Sequence, residues 1–145
     1  MVGKILKSTQ FRDKVLSLEF MNIKKSNAIS IDMLEQLNLL LKKKEYIRKF
    51  SLLVFKGYKN GPFSSGADLQ EIIPHREKIS LDIYQNKLQS VLDKLKSINI
   101  PKISLINSYC FGAGLILAMH TDIVISNYNG KFSIPAVKLG IKLPK

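Results

Sequence analysis

The stretch Asn107-Ser108-Tyr109-Cys110-Phe111-Gly112-Ala113-Gly114-Leu115-Ile116-Leu117-Ala118 decides the fold. An apolar run, Ile103 to Ile106, leads into it and reads as a buried strand. Gly112-Ala113-Gly114 follows as a small-residue turn, and Leu115 to His120 reads as the start of a helix. Strand, glycine turn and helix together gather backbone N–H groups at a helix N-terminus with no side chains in the way. Such a place holds an anion or a developing oxyanion. Glycine turns before helices are common, so this signal has little force alone. A second loop adds to it: Phe63-Ser64-Ser65-Gly66-Ala67-Asp68-Leu69 also follows an apolar run, Leu52 to Phe55, and also leads into a helix-like segment.

Outward from these loops, the chain alternates strand and helix patterns. Ile5-Leu6 and Val15 to Phe20 read as two strands; in the second, Val15, Ser17 and Glu19 alternate against Leu16, Leu18 and Phe20. Asn22 to Asn27 is a polar loop. Ser30 or Asp32 caps the next helix, with Asp32 and Glu35 at capping-box spacing. Met33, Leu34, Leu37, Leu40 and Leu41 then form one apolar face. Lys42-Lys43-Lys44 sits late in that helix, where cations complement its dipole. Asp68 caps a helix starting near Leu69, and Pro74 breaks the chain beside a surface His75. From Glu77 to Ile98 the spacing of Leu81, Tyr84, Leu88, Val91, Leu92, Leu95 and Ile98 predicts a long helix, and Pro101 ends the connection to the next strand. Asp122 to Ile125 reads as a short strand, Asn127 to Gly130 as a turn, and Phe132 to Val137 as an edge strand or loop. Alternation of this kind argues for an α/β fold with a crossover-connected sheet.

Composition narrows the function classes. The chain has 145 residues, of which 46% are hydrophobic, enough for one domain over 1–145 to bury a core. No apolar run reaches membrane-spanning length, and MVGKILKS lacks a secretory signal core, so a cytoplasmic protein is expected, with an organelle matrix as the other setting. The single cysteine, Cys110, forms no internal disulfide and reads as a small buried residue. No His, Cys or carboxylate cluster has metal-ligand spacing. The net charge of +12 comes from scattered lysines. Without a helix-turn-helix, an aromatic RNA-binding signature or zinc spacing, it does not make a nucleic-acid-binding domain.

FSSGADLQEI (Phe63 to Ile72) resembles the first oxyanion loop of the enoyl-CoA hydratase/isomerase, or crotonase, family. NSYCFGAGLILAMHTDIVIS (Asn107 to Ser126) resembles the second, Lys131 to Gly140 the next block, and Lys25-Ser26-Asn27-Ala28-Ile29-Ser30 the family's "NA(L)S" segment. The motifs occur in family order along nearly the whole chain, and together they are specific.

The resemblance implies a crotonase-like β-β-α spiral, C-terminally incomplete, covering the family's N-terminal half to two-thirds. It implies an acyl-coenzyme A ligand, no cofactor apart from that coenzyme A, and a homo-oligomer where the fold is complete. By motif match the oxyanion donors are the N–H groups of Ala67 and Ala113, with Gly66, Gly112 and Gly114 letting the thioester approach. Lys24 and Lys25 match the stretch near coenzyme A phosphates; Ala28, Ser65, Asp68 and Leu69 complete the implied substrate-binding set. The two glutamates that move protons in the family's hydratases are replaced by Ile116 and Ala136. Hydration is therefore not expected, and a non-catalytic relative or a fragment of a split gene acting as an assembly partner is the alternative. Exposed apolar faces on the helices from Met33 and Leu81 are expected to drive association.

Overall fold

A computed structural model describes residues 6–11, 14–72 and 78–135. The expectations for Ile5, Pro74, His75, Glu77, Ala136 and Val137 lie outside these residues. Strand β1 (Leu6–Phe11) pairs antiparallel with β2 (Val15–Phe20), Val15 opposite Phe11. β1 therefore runs on through Lys7 to Gln10, polar residues that carry no strand signal of their own. In β2 Leu16, Leu18 and Phe20 are fully buried and Val15 and Ser17 half-buried, but the alternation breaks at Glu19, which is buried too and pairs with Lys56 at 3.3 Å. Next come α1 (Ile31–Leu41), a short α2 (Lys44–Ile47) and β3 (Leu52–Gly57), which lies parallel to β2 with Leu52 opposite Val15.

After the first glycine loop come α3 (Leu69–Ile72), α4 (Lys78–Lys96) and β4 (Lys102–Ile106), parallel to β3 with Leu53 opposite Lys102. Then β5 (Tyr109–Phe111), α5 (Gly112–Met119), β6 (Ile123–Ser126) and β7 (Lys131–Ser133) complete the described chain. The main sheet runs β1-β2-β3-β4-β6, and β5 and β7 form a separate parallel pair.

Helix α1 starts where Ser30 Oγ accepts the N–H of Met33, so Ser30 is the cap and Asp32 lies in the first turn. Glu35 does not close a capping box; its carboxylate pairs with Lys87 of α4 at 2.6 Å. The lysine run does not lie within one helix: α1 stops at Leu41, Lys42 and Lys43 make the connection, and Lys44 opens α2. Three consecutive cations at the negative end of α1 complement its unpaired carbonyls without extending it.

The apolar faces of α1 and α4 are not exposed. Met33, Leu34, Leu37 and Leu41 join Leu88, Val91, Leu92 and Leu95 in one core with Leu16, Leu18, Leu53 and Phe55. The expected exposure of these faces is not found, because the two helices cover each other and the sheet. Leu39 on α1 and Ile83 on α4 are exposed singly, outside that core face, and the exposed run of apolar residues is on β6, where Ile123 is 52% and Ile125 50% exposed. Strand β6 pairs only with β4, so its other edge is open among the described residues.

Candidate active site

Phe63 anchors the first loop. It is buried, and its ring meets Phe20 edge-on at 5.1 Å. From there the backbone runs beside β5. Phe63 N–H donates to Tyr109 O at 2.9 Å, and Phe111 N–H to Ser64 O at 2.9 Å. The two loops are thus laced together before either reaches its glycine.

Each loop then turns through a glycine with positive φ, Gly66 at +105° and Gly112 at +49°. Glycine is needed at Gly66 because that φ lies beyond the left-handed region other residues tolerate. The two glycines face each other: a Cβ on Gly112 would stand 3.4 Å from Gly66 Cα. Helix α5 begins at Gly112 itself, so Gly112-Ala113-Gly114 is the first turn of the helix rather than a turn before it. The space beside Gly114 is filled by Ser64, whose Oγ would lie 2.6 Å from an added Cβ. Gly114 therefore allows one loop to pack closely on the other. Sequence reading passed over Ser64, whose buried hydroxyl also accepts the N–H of Gly66 at 3.1 Å.

Ala67 and Ala113 sit one residue beyond the facing glycines. Ala67 bridges Ile29 in parallel register: Ile29 N–H donates to Gly66 O at 2.7 Å and Asp68 N–H to Ile29 O at 3.0 Å. In a parallel bridge the flanking residues make the bonds, so the Ala67 N–H points away from Ile29. Ala113, in the first turn of α5, has no acceptor one turn back within the helix. Neither N–H has a protein acceptor among the described residues.

The loop from Asn22 to Ser30 backs the first glycine loop. Ser65 N–H donates to Ser26 O and Ser65 Oγ to Lys25 O, at 3.1 and 3.0 Å. Lys25 Nζ reaches Asp68 at 2.6 Å, and this hydrogen bond holds the ammonium above its ordinary pKa. Lys25 is thus engaged, whereas Lys24 is exposed. Asp68 also accepts Gln70 N–H at 3.2 Å, the expected cap of α3, which Leu69 opens half-buried. Ala28 is buried, and Asn27 makes this loop less solvated than its composition suggests, its Nδ2 donating to Pro62 O at 2.8 Å. Tyr84, one of the apolar stripe of α4, donates its hydroxyl to Ile29 O at 3.0 Å, and burial pushes that hydroxyl's pKa far up. Glu71 Oε2 accepts Ile31 N–H at 2.7 Å.

Ile116 is half-buried against the core one turn into α5. Cys110 is buried in β5, and burial pushes its thiol up to about 12, which keeps it from acting as a nucleophile at neutral pH. Two surface hollows lie elsewhere: one of about 500 Å³ beside Ser90 and Lys94 on α4, one of about 400 Å³ at the carboxyl ends of β3, β4 and β6. Neither is lined by Ala67 or Ala113. Among the described residues no three His, Cys, Asp or Glu side chains are grouped for a metal, and no helix is long and apolar enough to cross a membrane.

A parallel sheet with two glycine loops meeting in front of it is the crotonase arrangement, and comparison with solved structures agrees. An enoyl-CoA hydratase/carnithine racemase from Magnetospirillum magneticum superposes with a TM-score of 0.90 at 22% identity, over 98% of this chain and 53% of that one. The family profile for enoyl-CoA hydratase/isomerase matches residues 10–144, and the chain belongs to that family, of which it carries the N-terminal portion. A probable mitochondrial enoyl-CoA hydratase from Dictyostelium discoideum is 32% identical over 118 residues, 81% of this chain and 41% of the relative. A fatty acid oxidation complex subunit alpha from Idiomarina loihiensis is 29% identical over 117 residues, 79% of this chain and 16% of the relative. The chain thus spans less than half the length of these two curated relatives.

Proposed function

We propose that the chain binds acyl-coenzyme A thioesters, with the carbonyl oxygen accepting hydrogen bonds from the N–H groups of Ala67 and Ala113. The observation that carries this is the abutment of Gly66 and Gly112, with the next N–H on each loop unpartnered among the described residues. Donors fixed in advance by backbone need no reorganisation as negative charge builds on the oxygen, and each contributes about 3 kcal/mol to the stabilisation of an enolate. Lys24, exposed on the backing loop, is left to meet coenzyme A phosphates. The names of the relatives point to fatty-acid or related acyl-coenzyme A metabolism as the setting. No cofactor is required beyond the coenzyme A of the ligand.

Hydration needs groups that move protons, and each contributes about 10²–10⁴-fold. Ile116 and Ala136 carry hydrocarbon where the family's hydratases carry glutamate, so the chain is proposed to polarise the thioester without hydrating it. The test is loss of crotonyl-coenzyme A absorbance, comparing the unmodified chain with an Ile116→Glu, Ala136→Glu double variant. No turnover by the unmodified chain is expected; robust turnover would show that the proton-transfer groups lie elsewhere.

A second reading is a non-catalytic assembly partner, favoured by the open edge and exposed apolar residues of β6. Sedimentation at micromolar concentration tests it: a clean monomer counts against it.

A further inference from the structure

We propose that Lys25 and Asp68 form a positioning pair that aims the Ala67 N–H, a role that rests on the oxyanion reading above. The first loop has no regular secondary structure to hold it. Its conformation comes from contacts with residues 25–29, about 40 positions earlier in the chain. Ser65 is held at both its N–H and its hydroxyl, the Gly66 carbonyl accepts from Ile29, and the Asp68 N–H donates to Ile29. Ala67 is the one residue from Ser65 to Asp68 whose own backbone makes none of these bonds. Its N–H shares a planar peptide with the Gly66 carbonyl, so the bond from Ile29 to that carbonyl sets its direction on one side and the bonds of Asp68 hold Ala67 on the other.

The Lys25–Asp68 contact, at 2.6 Å, is the side-chain closure of that set. It joins the start of the backing strip to the residue directly after Ala67. Asp68 is 4% exposed, so its carboxylate depends on Lys25 and on the Gln70 N–H for compensation. Without Lys25, a buried carboxylate must turn toward solvent to find water; the Asp68 backbone turns with it, loosens the Asp68 N–H bond to Ile29 O, and through Ala67 twists the Gly66–Ala67 peptide that carries the donor N–H. Lys25 is 41% exposed, so it reaches this carboxylate from the surface and is not itself part of the core. Glu71 offers a built-in comparison. It lies on the same short helix as the residues following Asp68 and ties α3 to the first N–H of α1, but its side chain makes no contact with residues 64 to 68 among the described hydrogen bonds.

The experiment reads the ligand's carbonyl directly. Crotonyl-coenzyme A labelled with carbon-13 at the thioester carbonyl is added to saturation, and the carbonyl resonance is recorded. The proteins are the full unmodified chain and its Lys25→Met, Lys25→Arg, Asp68→Asn and Glu71→Gln variants. A downfield shift is expected on binding to the unmodified chain. Lys25→Met and Asp68→Asn should lose at least half of it, Lys25→Arg should restore most of it, and Glu71→Gln should keep it. Where Asp68→Asn does not fold, Lys25→Met at its exposed site decides alone. A full shift in Lys25→Met, or an equal loss in Glu71→Gln, overturns the positioning pair while leaving the oxyanion hole standing. No shift in the unmodified chain overturns the oxyanion reading, and the pair with it.

Discussion

The two glycine loops arrive at the same place by different constructions. The second loop is local: β5 ends, α5 begins at Gly112, and the N–H of Ala113 is free because every helix leaves its first donors unpaired. The first loop is assembled from a distance. Its Gly66, Ala67 and Asp68 are set by Ser64, Ile29, Ser26 and Lys25. One donor is thus guaranteed by the geometry of an α-helix, and the other only by a set of tertiary hydrogen bonds. The first loop should be the more easily disturbed, and the contrast is open to measurement.

The largest effect is expected where the loops touch. Gly114→Ala puts a methyl into the buried Ser64 side chain, and forcing in such a group costs about 3 kcal/mol. Urea unfolding should show that loss, against the gain of nearly 1 kcal/mol that alanine ordinarily brings to a helix interior. A stabilised variant would mean that the loops can part. Next come the paired glycines. Gly66→Ala, at a φ of +105°, should cost about 2 kcal/mol, and Gly112→Ala, at +49°, about 1 kcal/mol. Equal costs in the same unfolding series would remove the proposed asymmetry between the loops.

Smaller still is the loss of the Ser64 hydroxyl. Ser64→Ala leaves the Gly66 N–H unpaired and should lower stability by about 1 kcal/mol, read as a drop in the thermal midpoint. The smallest effect is a titration. Hydrogen bonding to Asp68 raises the Lys25 pKa above 10.5, so its contribution is complete below pH 10.5 and is lost as pH rises through the raised value. The stability margin of the unmodified chain over Lys25→Met should therefore be constant to about pH 10 and shrink above it. A margin that shrinks near neutrality would contradict the ion pair.

These partners explain how much of the molecule was legible beforehand. The run Leu52 to Phe55, the stripe on α1 and the spacing along α4 are written within a few residues of one another and fold as read; the run Ile103 to Ile106 does form a strand, but not a buried one, because Leu105 faces out while Lys102 and Ser104 face in. The glycine motifs identified the family for the same reason. What tunes the first loop is not local. Lys25 finds Asp68 43 positions away, Glu71 reaches Ile31 across 40, and Tyr84 reaches Ile29 across 55. Nothing in a one-dimensional pattern distinguishes Tyr84 from the other apolar members of its helix face. The choice between Ser30 and Asp32 as a cap is settled by the Met33 N–H, which donates to Ser30 Oγ, and Glu35 pairs with Lys87 on α4 instead of closing a box. Lys42 to Lys44 misled because charge alone does not say on which side of a helix end it falls.

Strand β6 has a consequence for handling the protein that its geometry alone does not state. Ile123, Val124 and Ile125 are all exposed on a strand whose second edge is open among the described residues, and such edges template sticky contacts between copies. The net charge of +12 opposes such contacts by a long-ranged repulsion in dilute buffer. Raising the ionic strength from about 0.01 M to about 0.1 M shortens that repulsion from about 30 Å to about 10 Å. The protein should therefore be more soluble at low salt than at high, the reverse of ordinary salting-in, and light scattering against salt concentration would titrate the charge that guards one bare strand.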